Sequence, residues 1–165
     1  MSETAIFGIS VIMSFIAFGI VTNLYILPLI RNSSRENALI ALIVPHAFRF
    51  EGLSFLVPGV VSPSLEQAFA IPAAYGDFCA SILAVIAIVA LNARSHWAIP
   101  LAWLFNVWGF ADLYFAVYQG VIGVGIVPGS LGALFFIPTV FLPLLMITHG
   151  LIFQLLFRAS EPVRA

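Results

Sequence analysis

Residues 5–30 read AIFGISVIMSFIAFGIVTNLYILPLI, with no charged side chain and Asn23 as the most polar position. A helix needs about 20 predominantly apolar residues to cross a hydrocarbon core ~30 Å thick. The stretch therefore predicts a membrane span. It is too long for the ~7–15 residue apolar core of a secretory signal, and the Met1-Ser2-Glu3-Thr4 that precedes it lacks that signal's basic start. A polar turn over residues 31–36, Arg-Asn-Ser-Ser-Arg-Glu, ends it.

Four further stretches follow the same pattern. They predict spans over residues 37–61, 73–91, 96–119 and 131–157. Pro58-Gly59 and Ser62-Pro63 break the second, and residues 64–69 read as an interfacial turn in which Ser64 and Gln67 have capping-box spacing. Pro72 suits the first turn of the third helix, where its missing N–H costs nothing. Ser95 suits the cap of the fourth. Residues 120–130 hold four glycines and Pro128 without a charge, a flexible apolar link. The fold class expected is all-α: one polytopic membrane domain over residues 1–165, a bundle of five transmembrane helices.

The remaining composition agrees. Of 165 residues, 62% are hydrophobic and 8% charged, against about 25% charged in soluble domains, whose surfaces must face water. A net charge of −1 lacks the basic stripe that nucleic acid requires. The lone Cys79 excludes an intramolecular disulfide. The basic residues outside the spans are Arg31, Arg35, Arg94, Arg158 and Arg164, all on loops or tails of one side. Basic residues are retained on the cytoplasmic side, so the expected orientation is N-terminus outside and C-terminus cytoplasmic, in a membrane of the bacterial inner type.

Ionisable residues inside spans are costly and mark either function or a structural pair. Here they are His46, Arg49, Glu51, Asp77, Asp112 and His149. Depth along each helix, at ~1.5 Å per residue, predicts an inner layer in which His46 and His149 meet Asn106 and Asn23. That layer would suit a b-type haem held by His46 and His149, a proton or metal site, or two histidines each bonded to a neighbouring helix. Arg49 and Glu51 lie near the middle of the second helix. On an α-helix they point ~200° apart and cannot pair, so Arg49 is expected to find Asp112 or Asp77. Asp77 also suits the dipole at the start of the third helix.

In size and layout the chain resembles the translocator-protein family, although residues 103–108, Trp-Leu-Phe-Asn-Val-Trp, do not carry that family's tryptophan-rich signatures. Four functions follow from the residues themselves. The leading one is a polar intramembrane site of Arg49, Glu51, Asp112, Asp77 and Asn106 that binds or translocates a small solute, ion or lipophilic ligand. The others are an accessory subunit of a larger membrane complex or homo-oligomer, an intramembrane enzyme on a lipid or isoprenoid with a histidine and carboxylates as acid and base, and a haem b electron carrier. No nucleophile or metal motif names a reaction, so catalytic residues stay unassigned from sequence.

Overall fold

The computed structural model describes residues 1–158; Arg164 and the rest of the tail lie outside them. Among the described residues the chain is helical, with no strand. Five helical spans are long and apolar enough to cross a bilayer: α1 (Glu3–Arg31), α2 (Arg35–Leu56), α3 (Gln67–Asn92), α4 (Ala98–Gly123) and α5 (Ile137–Phe157). Side chains such as Ile12, Leu24, Val89 and Tyr114 are more than half exposed, as lipid-facing positions are. Ser2 and Ser34 start α1 and α2, each accepting an N–H three residues on, with Glu3 and Glu36 in the favourable first turn.

The second span sets the geometry of the interior. It is α-helical to Ile43 and then winds as a 3₁₀-helix over Val44–Leu56. Pro45 at the junction has no N–H to give an α-helical partner. Three residues per turn stack side chains at every third position, so His46, Arg49, Gly52 and Phe55 form one buried column. An α-helix would drift about 60° at each step and turn Phe55 away from His46. The tighter winding also rises ~2.0 Å per residue instead of ~1.5 Å. The span ends at Leu56, five residues before the Val61 expected from the proline and glycine breakers, and the longer rise lets it cover the same distance with fewer residues.

Other boundaries shift for local reasons. The third span begins at Gln67, not 73, so Pro72 sits inside it, and Glu66 precedes it with no side-chain cap. Ser95 accepts the N–H of Trp97 at 3.3 Å, but the helix starts at Ala98. The fourth span runs on through a π-turn to Gly123. The fifth is divided: a 3₁₀ segment over Pro128–Phe135 precedes it, and Gly132 has φ +54° where it passes the Val60 carbonyl. A side chain at Gly132 would begin 2.5 Å from that oxygen.

α3 carries a seam of buried small residues, Ala73, Ala74, Ala80, Ser81, Ala84 and Ala87. Small residues let helix backbones approach closely in lipid, and α3 packs most extensively on the 3₁₀ part of α2 and on α4. One apolar cluster (Leu39, Leu42, Ile43, Leu91, Phe105, Ile152) fills the half nearer the arginine-bearing loops. A second (Phe55, Leu65, Phe69, Leu131) lies in the opposite half. α1 stands at the edge with no buried residue, packing on α5 and the segment before it. Glu3 ties its start to the Gly129 N–H at 2.8 Å.

Candidate functional site

Between the two apolar clusters lies a polar layer centred on Arg49, whose side chain is 1% exposed. Its Nε donates to Asp77 Oδ1 at 2.7 Å, its Nη2 to Asp112 Oδ2 at 2.6 Å and its Nη1 to the Gly109 carbonyl at 3.0 Å. One guanidinium thus joins α2, α3 and α4. Both carboxylates take the arginine at once, where the sequence left a choice between them. Asp77 is ten residues into α3, so it acts through Arg49 and not as a helix cap.

Three glycines make room for this layer. A side chain at Gly52 would begin 2.5 Å from Asp77 Oδ2, and one at Gly76 would collide with Asp112 Oδ1. At Gly109 it would begin 2.9 Å from His149 Cε1 and 3.0 Å from Arg49 Nη1. None of the three stood out in the sequence. The available signal was glycine inside a helix, which costs about 1 kcal/mol against alanine and calls for a packing reason.

Below Arg49 the two histidines meet, with ring centroids 4.2 Å apart. Thr148 Oγ1 lies 3.0 Å from the carbonyls of Leu144 and Leu145, to which its proton goes, and therefore accepts from His46 Nε2–H at 2.9 Å. Asn106 directs its amide N–H at the His149 carbonyl (3.4 Å) and accepts from His149 Nδ1–H at 2.7 Å. The second nitrogens, His46 Nδ1 and His149 Nε2, are buried lone pairs without a partner among the described residues. Asn23 is exposed on the peripheral α1 and does not join them. Thr148 takes the fourth place instead, a residue sequence reasoning passed over.

A haem does not fit here. Axial imidazole nitrogens sit about 2 Å on either side of a metal with the porphyrin plane between them, and rings with centroids 4.2 Å apart leave no slot for that plane. Phe105 also stacks on His149 and packs edge-on against His46. Among the described residues no three His, Cys, Asp or Glu side chains gather as metal ligands.

Above Arg49 a cavity of about 450 Å³ extends toward the loops that carry no arginine. Phe7 and Val11 of α1, Phe55, Leu113, Val121, Leu131 and Phe141 supply apolar walls. Thr4, Arg49, Glu51 and Asp77 are the polar side chains in its lining. Asp112 sits behind Arg49, and Asn106, His46 and His149 lie outside the lining. Glu51 is exposed.

The class this defines is a five-span helical membrane protein with a buried ion triad under an apolar cavity. Residues 6–157 match the family described as a domain of unknown function, DUF8737, and the chain belongs to that family. No curated protein and no solved structure matches it.

Proposed function

We propose that this chain binds a lipophilic small molecule within the membrane, in the cavity above Arg49. The observation that carries the reading is the combination of volume and lining. Ligand pockets typically enclose ~300–1,000 Å³ with apolar walls and a few fixed polar groups, and about 450 Å³ with Arg49, Glu51 and Asp77 at one end is that arrangement. The ion triad holds the floor rigid, because moving Arg49 would strand two carboxylates in a dry interior. Arg31, Arg35, Arg94 and Arg158 all flank the other end of the bundle, a bias that supports an orientation with the cavity in the outer half of a membrane of the bacterial inner type.

The test uses a twelve-carbon alcohol bearing a photoreactive diazirine, with the protein in phosphatidylcholine nanodiscs and labelled residues mapped by peptide mass spectrometry. Label is expected on cavity residues such as Leu113 and Leu131. Ala116→Trp, which fills the cavity from α4, should remove that label and leave labelling of outward-facing side chains unchanged. Label confined to the outer surface, identical in the two proteins, overturns the reading.

A further inference from the structure

The charges around the cavity select its ligand further. Arg49 is committed to Asp77, Asp112 and the Gly109 carbonyl, so it balances one of the two aspartates and leaves a surplus negative charge. Glu51 adds another. It lines the cavity and has no hydrogen bond or ion pair among the described residues. It lies five residues inside the end of α2, about 10 Å from that end at the 3₁₀ rise, and it is exposed on the bundle, so at that depth its carboxylate meets lipid or ligand with no counter-charge, which is costly.

The wider field has the same sign. In this half of the bundle Glu3, Glu51, Glu66, Asp77 and Asp112 face Arg49 as the one basic side chain. Glu66 lines a smaller pocket of about 180 Å³ that shares Gly125 and Ile126 with the main cavity. A carboxylate at the rim and another within would steer cations toward the interior and repel anions.

Resting on the reading of the cavity as a ligand site, we propose that its ligand is a cationic amphiphile: an aliphatic or aromatic amine whose protonated head pairs with Glu51 and whose tail fills the space between Phe7, Leu113, Val121 and Leu131. An anionic head, such as a fatty acid's, is disfavoured, because the guanidinium that could receive it is already occupied. A bare inorganic cation would leave the apolar walls unused.

The experiment keeps the photoreactive alcohol as reporter and competes it with decylamine, decanol and decanoate at pH 7.5, which share a tail and differ in head. A charge-assisted hydrogen bond to Glu51 predicts that decylamine halves the cavity label at roughly one-tenth the decanol concentration, with decanoate weakest. In Glu51→Gln the amine-to-alcohol ratio should collapse toward one, and Glu51→Asp should restore part of it. Methylamine, which has the head without the tail, should not compete. Equal competition by all three ten-carbon heads, or a preference for decanoate, overturns the cationic assignment while leaving the cavity a ligand site. Failure of the reporter to label the cavity at all removes the reading beneath it.

Discussion

Replacing Arg49 by methionine removes the charge while keeping much of the side chain's length. Asp77 and Asp112, whose side chains are 14% and 12% exposed, would then be left with no cation between them, and the Gly109 carbonyl would lose the hydrogen bond from the guanidinium. Breaking a buried ion pair from one side costs about 3–5 kcal/mol, because the stranded charge keeps its desolvation penalty. Here two are stranded, so the upper part of that range is expected. Asp112→Asn behaves differently: Arg49 keeps Asp77 and the surplus negative charge disappears, for a cost of about 1 kcal/mol. Combining Arg49→Met with Asp77→Asn and Asp112→Asn removes all three charges together and should recover more than half of the loss, since a buried pair and its neutral replacement are close in energy. The assay is unfolding by sodium dodecyl sulfate in mixed micelles, followed by tryptophan fluorescence in a Trp97→Phe, Trp108→Phe background that leaves Trp103, which packs on Phe153 and Phe157. An Arg49→Met midpoint equal to that of the parent, or a triple variant no more stable than the single, refutes the reasoning.

Gly109→Ala places a methyl group against His149 and Arg49 and should cost about 1–3 kcal/mol by overpacking, measured in the same unfolding assay; an unchanged midpoint means the layer is looser than described. Thr148→Val leaves His46 Nε2–H without its acceptor at nearly constant volume and should cost about 1–3 kcal/mol, while His46→Phe in the same background should cost less than it does alone. Strict additivity of those two changes would show that the hydrogen bond contributes nothing. Protein purified from haem-supplemented cells should show no Soret band; a band lost in His46→Ala or His149→Ala would contradict the packing of the two rings.

Span number and class were legible because lipid imposes a simple demand, a run of apolar residues long enough to cross it, and residues 5–30 or 73–91 meet that demand without ambiguity. The third span's start was misplaced because Pro72 sits inside its α-helix and not at its first turn, and the second span's end was misplaced where the backbone left α geometry. The 3₁₀ winding after Pro45 lengthens the rise per residue, and hydropathy does not report winding. The need of Arg49 for a carboxylate followed from the price of a lone buried charge, and Asp77 and Asp112 were the two candidates within reach. That it takes both depends on how far α2, α3 and α4 approach one another, which Gly52, Gly76 and Gly109 decide. Asn23 illustrates the converse limit: depth along a helix can be counted, but rotation and peripheral placement cannot, and α1 has no buried residue at all. The cavity was the least legible feature, being a volume left between five elements and not a property of any one of them.

The most direct measurement is an experimental structure of the protein with a bromine-tagged lipophile, 10-bromodecan-1-ol, located by anomalous scattering. A bromine peak is expected between Phe7, Leu113 and Leu131, over an Arg49 still bonded to Asp77 and Asp112. Bromine found only on the outer surface of the bundle, or an Arg49 turned away from both aspartates, would contradict that arrangement.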